Sequence, residues 1–249
     1  MEDYQLLIDL HKKGYRQGPG GDSETELAIK LSGLDTAGSL NVLDVGCGTG
    51  ASTIALASRL DCQVTGIDIF DEFLVEVIHK SNEKGLDSKI RTRNCPMEDL
   101  PFAKEEFDVI WGEGSIYNMG FGKGISYLRD FLKPNGILAV SEITWFSKER
   151  PKELEDYWNL EYPEIATASE KMGILESNGF SIMGYFPLPK KCWEENYYAP
   201  MRSRFSEFLR HNEHSEMARE IVDSEEKEME LFSTFHQYYG YGFYIAKKL

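Results

Sequence analysis

One short stretch, Asp44-Val45-Gly46-Cys47-Gly48-Thr49-Gly50, sets a carboxylate beside three glycines at alternate positions. Glycine is needed where a ligand lies against the backbone or where φ is positive. Asn41 to Val45 reads as a short strand and Ala51 to Leu60 as a helix, so the glycines occupy a strand-to-helix turn. Open α/β sheets bind ligands at such turns, at the carboxyl ends of parallel strands. Eighteen residues after Gly50, Asp68 ends the next predicted strand, Gln63 to Asp68. An acid there can accept both hydroxyls of a ribose.

Two ligands fit this pattern. Gly46-x-Gly48-x-x-Ala51 meets the loose dinucleotide fingerprint, which keeps an NAD-linked oxidoreductase as an alternative. Asp44 argues against it, because a pyrophosphate beside that acid is repelled. A ligand with a sulfonium and an ammonium group is favoured instead. S-adenosylmethionine is such a ligand and carries no phosphate.

A second cluster follows the predicted strand Phe107 to Trp111. Glycines bracket Glu113 in Gly112-Glu113-Gly114-Ser115-Ile116-Tyr117-Asn118. A carboxylate held clear in this way can hold an amino group, bind a cationic substrate or act as a general base. Tyr117 and Asn118 are weaker candidates. Glu142, within Ala139 to Ile143, is an acid among apolar residues and requires a partner or a cavity. Trp145 and Phe146 either line a pocket or belong to the core. His211-x-x-His214 has helix-face spacing, but no carboxylate or cysteine pattern completes a metal site, so no metal is expected. His236 reads as structural.

The elements that position these residues alternate. Helices are predicted over 3–13, from about Ser23 to Leu31, over 71–84, over 124–132 and over 168–178. Ser23 with Glu26 has capping-box spacing. Further strands are expected over 89–93, 137–143, 180–186 and 241–246. Strands spaced by helical stretches mean βαβ units and a parallel sheet. The charged stretch 147–166 breaks the alternation and reads as an insertion. Pro187 to Pro200 holds three prolines and three aromatics without periodicity, and is expected to form an ordered lid rather than a helix. Residues 201–212 and 214–236 read as helical. The acidic run over 213–230 reads as a solvated helix face.

Composition bounds the rest. The chain has 249 residues, 27 basic against 42 acidic, for a formal charge of −15. That charge repels phosphate backbones and anionic lipid, so neither nucleic acid nor membrane is expected as a partner. Apolar residues at 41% suffice for a packed core. No apolar run approaches the length of a membrane span. Met1-Glu2-Asp3-Tyr4 has no basic or apolar leader, so no signal peptide is expected. The cysteines Cys47, Cys62, Cys95 and Cys192 form no C-x-x-C pair, and a reduced cytoplasm is expected.

Taken in order, the landmarks resemble class I S-adenosylmethionine-dependent methyltransferases. Asp44 to Gly50 with Asp68 is similar to that family's first motif and following acid. Met97-Glu98-Asp99-Leu100-Pro101-Phe102, then Phe107 to Ile110, resembles its next two landmarks. Leu132-Lys133-Pro134-Asn135-Gly136 resembles its turn before strand five, with Asn-Gly where Gly-Gly is usual. The order is similar to the small-molecule branch related to ubiquinone and menaquinone methyltransferases, and covers residues 38–146 best.

The resemblance implies a Rossmann-like α/β fold with a mostly parallel seven-stranded sheet, an antiparallel C-terminal strand and helical or loop cap insertions. It implies one domain over 1–249. Its parts would be an N-terminal segment over the site (1–37), a cofactor-binding core (38–146), cap insertions with the remaining sheet (147–237) and a last strand (238–249). S-adenosylmethionine is the implied cofactor and S-adenosylhomocysteine the product. Gly46, Cys47 and Gly48 would pack against its amino-acid part and Asp44 would orient it. Asp68 would accept the ribose hydroxyls, Ile69 would press on the adenine, and the Met97 amide would donate to the ring. The family often has an Asp before the Met97 position; here Pro96 stands there, and Glu98 is the candidate substitute. Arg16, in the glycine-rich first loop, would pair with the cofactor carboxylate. Glu113 and Tyr117 would face the reacting centre.

The implied reaction is in-line methyl transfer to an O, N, S or C atom of a small molecule. A module that binds the cofactor without catalysis is the alternative that Pro96 motivates. The aromatic C-terminal region would make either a homodimer surface or a lid.

Overall fold

A computed structural model describes residues 2–249. The chain opens with α1 (Glu2–His11) and α2 (Asp22–Ser32). The core then runs β1 (Leu40–Val45), α3 (Ala51–Arg59), β2 (Cys62–Asp68), α4 (Asp71–Glu83), β3 (Ile90–Asn94) and β4 (Phe107–Glu113). It continues through α5 (Phe121–Arg129), β5 (Leu132–Trp145), α6 (Lys152–Glu161), the short β6 (Ala166–Thr167), α7 (Ala168–Ser177) and β7 (Phe180–Pro187). Two helices, Phe205–His211 and Glu216–Phe235, precede the last strand, β8 (Tyr239–Lys248).

The sheet order is β3-β2-β1-β4-β5-β8-β7, with β6 attached to β5. β1 pairs in parallel with β2 and β4, while β8 runs antiparallel between β5 and β7. This is the expected Rossmann-like class I methyltransferase fold, with one two-residue strand more than the seven expected. β1 is central and covered on both faces, so Val42, Leu43 and Val45 are fully buried without alternation. The sheet divides the apolar core. Trp111, Ile143, Trp145 and Phe243 lie on one face, and Ile110, Leu138, Val140 and Tyr244 on the other.

Several boundaries differ from expectation. α2 starts at Asp22 with Gly21 as its uncapped N-cap, so Ser23 lies inside the first turn and bonds Glu24 instead. α5 starts three residues early, at Phe121, where Gly120 at φ 79° turns the chain. Residues 191–202 form a continuous helical segment with a π-helical centre at Glu194–Tyr198, where an ordered non-helical lid was expected. Its prolines sit where no helical N–H is required: Pro187 and Pro189 precede it, and Pro200 falls in the first turn of the Ala199–Arg202 helix. The C-terminal aromatics Tyr239, Tyr241, Phe243 and Tyr244 are buried within the chain rather than spread over a surface. Among the described residues no helix is long and apolar enough to cross a membrane.

Candidate active site

The carboxyl ends of β1, β2 and β4 converge on a cleft of about 510 Å³. Its floor is the glycine turn. Gly46 and Gly48 have φ of 64° and 53°, which non-glycine residues rarely adopt. A Cβ on Gly46 would also lie 2.6 Å from the Ser115 Cβ. Cys47 lines the cleft through its backbone side, since its Sγ turns toward Gly66.

Asp68 stands at the end of β2 on the cleft wall. Its Oδ2 accepts from the Gly48 amide at 3.0 Å and its Oδ1 from the Phe70 amide at 3.1 Å. A carboxylate has about four acceptor positions, so two remain for a diol. Burial raises its pKa, against the backbone hydrogen bonds that favour the ion.

Asp44 lies behind this wall. It is fully buried, and its Oδ2 accepts from Ser52 Oγ at 2.7 Å and Thr53 Oγ1 at 2.6 Å. The acid therefore ties the glycine turn to the start of α3, and it is not among the residues that line the cleft. Burial pushes it up to about 7, against the two hydroxyl hydrogen bonds. Its Oδ1 is buried without a hydrogen-bond partner among the described residues.

One end of the cleft is apolar. Ile69, Phe70, Phe73, Tyr4, Leu7, Cys95 and Met97 surround it. The Met97 amide makes no hydrogen bond among the described residues. Glu98 is exposed at the rim.

The other end is charged. Arg16 and Glu113 both line it, with Arg16 Nη1 2.6 Å from Glu113 Oε2. Arg16 also donates to Asp22, and Glu113 also accepts from Thr25 Oγ1 at 2.7 Å and Trp111 Nε1 at 3.0 Å. Three donors converge on the Glu113 carboxylate, so its oxygens are engaged within the fold rather than standing clear. Tyr117 lines the cleft at 41% exposure, yet burial of its surroundings and the fields of Glu142, Glu228 and Glu225 raise its pKa. Its phenol therefore stays protonated.

Gln17 carries no sequence signal of its own, yet it holds the site together. Its Nε2 donates to Thr49 Oγ1, His11 O and Gly14 O, and its Oε1 accepts from the Thr49 amide at 2.8 Å. The helical segment after Pro187 secures the same loop from outside: Asn196 Nδ2 donates to Gly20 O at 2.7 Å. Glu142 meets Lys171 at 3.5 Å, both at 0% exposure, so the strand acid finds an ion partner under Phe121 and Tyr162. Trp145 and Phe146 line a separate groove of about 990 Å³ at the ends of β5 and β7, which contains none of the glycine-turn residues. His211 ends its helix and His214 has φ 52°, so the two do not share a helix face.

These groups fit S-adenosylmethionine. The open glycine floor, the spare acceptors of Asp68, the free Met97 amide and the apolar walls suit an adenosine, and no basic group on the floor calls for a pyrophosphate. Residues 42–136 match the sequence family described as a methyltransferase domain. The chain is 28% identical over 156 residues to an uncharacterised protein of Haemophilus influenzae, covering 61% of each. It is 27% identical to an O-methyltransferase of Penicillium expansum, covering 66% of this chain and 59% of that one. The matches thus span about three fifths of these relatives' length. Its structure is similar to an S-adenosylmethionine-dependent methyltransferase of Thiobacillus denitrificans solved with S-adenosyl-L-homocysteine. There the TM-score is 0.82, the identity 18%, and the coverage 99% and 98% of the two chains. By its fold the chain is similar to S-adenosylmethionine-dependent methyltransferases, and its residues 42–136 match a methyltransferase domain.

Proposed function

We propose that the protein transfers the methyl group of S-adenosylmethionine to a hydroxyl oxygen of a small molecule. One observation carries this: two positive-φ glycines lie flush under a cleft with Asp68 on one wall and the Arg16–Glu113 pair on another. The choice of oxygen draws on relatives that are O-methyltransferases, in Penicillium expansum and Aspergillus sclerotiorum among others.

In this reading Asp68 accepts the two ribose hydroxyls. The Met97 amide donates to the adenine, and Ile69, Phe70, Phe73 and Tyr4 shield its faces. Arg16 keeps donors beyond those bound to Glu113 and Asp22, and takes the cofactor carboxylate. Glu113 holds Arg16 in place, and the glycine floor at Gly46 and Gly48 receives the amino-acid part. The sulfonium supplies a good leaving group, so the chain mostly contributes proximity and orientation. Lying behind the turn, Asp44 acts on the cofactor through the field of its carboxylate and through the shape of the loop. The four cysteines are buried and unpaired, which suits a reducing compartment, and we assign the protein to the cytoplasm.

Calorimetric titration with S-adenosylhomocysteine, with NAD run in parallel, tests the reading. Binding of the first alone supports it. Binding of neither, or of NAD alone, overturns it.

A further inference from the structure

We propose that the groove at the ends of β5 and β7 is a second ligand site, and that it takes a flat apolar molecule bearing a carboxylate. This site stands apart from the methyl-transfer reading. Unequal strand lengths create it. The last residue of β4, Glu113, pairs with Ser141, while β5 runs on to Trp145. The overhang pairs instead with the start of β8, Trp145 opposite Tyr239, and with β6, Trp145 opposite Thr167. The groove of about 990 Å³ opens there and shares no lining residue with the cofactor cleft.

Its walls are aromatic. Trp145, Phe146, Tyr185, Trp193, Phe232 and Tyr239 line it, and Trp193 stacks on Phe232 with centroids 4.4 Å apart and planes at 16°. Ligand sites combine such apolar walls with a few placed polar groups. The Trp193 indole is the first of these. It is 2% exposed, and its Nε1 has no hydrogen-bond partner among the described residues. Buried donors are rarely left so. This nitrogen stands at the Gly240 edge of the groove, 3.6 Å from the point that a Gly240 Cβ would occupy. The Phe146 ring lies 3.0 Å from the same point and is 38% exposed. It covers the indole edge, and a ligand oxygen reaches Nε1 by displacing it.

The first turn of α7 adds the amides of Ala168 and Ser169, because its capping box takes those of Thr167 and Glu170. Amides at a helix N-terminus favour an anion. Lys148 stands exposed in the same wall, as does Lys190, which pairs with Glu194 at 2.9 Å. Glu170 feels the Lys148 charge but is bound to the Thr167 hydroxyl and amide. Among the described residues no Asp or Glu lines the groove, although acids outnumber bases 42 to 27 in the chain. Two lysines, a histidine and no acid reverse the sign of the chain locally. Aromatic walls alone would suit any apolar molecule. The orphaned indole donor, the open amides and the reversed charge add an anionic oxygen to it, and a carboxylate can accept from several donors at once.

The test is calorimetric titration of the full chain with naphthalene-2-carboxylate, with naphthalene-2-methanol in parallel. Both are repeated under saturating S-adenosylhomocysteine. The carboxylate is expected to bind about tenfold tighter than the alcohol, the scale of one hydrogen bond to a charged group, and to stay bound in the presence of S-adenosylhomocysteine. Ser169→Trp, which fills the groove from an exposed helix position, is expected to abolish binding. Indole N–H NMR gives a second readout. The Trp193 signal is assigned by its loss in Trp193→Phe, or by elimination through Phe variants of the other three tryptophans. It is expected to move when the carboxylate is added. Absence of binding, equal affinity for the alcohol, displacement by S-adenosylhomocysteine, binding untouched by Ser169→Trp, or a Trp193 signal unmoved by saturating carboxylate each overturns the proposal. So does a chain that sediments as a dimer and becomes a monomer in Ser169→Trp, because the groove is then a contact between copies.

Discussion

Arg16 Nη1 lies 2.6 Å from Glu113 Oε2, and the two side chains are 6% and 9% exposed. The pair joins the N-terminal loop to the end of β4 across 97 residues. Burial works against the Arg16 charge, but Glu113 and Asp22 outweigh it and raise its pKa. The loop is therefore held over the cleft by an ion pair with little access to water.

Breaking a buried pair from one side costs more than removing both partners, because the survivor stays charged and desolvated. Arg16→Met is expected to lower the unfolding free energy by about 3–5 kcal/mol. The double variant Arg16→Met with Glu113→Leu is expected to recover most of this, yet still bind S-adenosylhomocysteine weakly. Urea titrations and calorimetry measure the two effects. Wild-type stability in the single variant would remove the pair as the anchor of the loop.

Asp68 offers two acceptor positions beyond its backbone bonds. Asp68→Ala is expected to weaken S-adenosylhomocysteine binding by about 1–3 kcal/mol, the scale of hydrogen bonds to a charged group. An unchanged affinity in the calorimeter would show that the ribose lies elsewhere.

How much of this was legible beforehand follows from the range of each interaction. The glycine turn, Asp68 and the β-α alternation are local patterns, so residues 38–146 read well from sequence. Asp44 was legible as an acid but not as a buried one, since its partners Ser52 and Thr53 lie a helix start away. Glu113 looked free because nothing near it in sequence announces Arg16 or Thr25. Gln17 was missed because its meaning comes from the contact of a folded neighbour, Thr49. The 187–200 stretch was misread because prolines count against a helix only where an N–H is required.

The floor of the cleft tolerates no side chain. At Gly46, φ is 64° and a Cβ would meet Ser115 at 2.6 Å, while Ser115 is fixed by its own bond to Val45 O at 2.6 Å. Gly46→Ala is expected to cost roughly 1–3 kcal/mol in stability from backbone strain, with loss of S-adenosylhomocysteine binding beyond that. Thermal unfolding and calorimetry separate the two. A stable variant with full affinity would mean the turn can move and does not shape the site.

Asp44 gives a pH test. Its carboxyl titrates at about 7 in the folded chain against 3.8 when unperturbed, chiefly through burial. Between these values the folded state holds more proton than the unfolded state, so the Asp44 contribution to stability is full below about pH 4 and falls as pH rises toward 7. The slope approaches about 1.4 kcal/mol per pH unit at its steepest. Asp44→Asn keeps an acceptor for Ser52 and Thr53 but removes the titration. The difference in unfolding free energy, variant minus wild type, is therefore expected to rise between pH 4 and 7 and to level off above. Glu142 and Glu228, which burial also pushes up to about 7, are present in both proteins and cancel in that difference. A flat difference would mean that Asp44 is ionised throughout. The same substitution removes a negative charge behind the sulfonium site. S-adenosylmethionine, whose sulfur is cationic, should then lose more affinity than S-adenosylhomocysteine, whose sulfur is neutral.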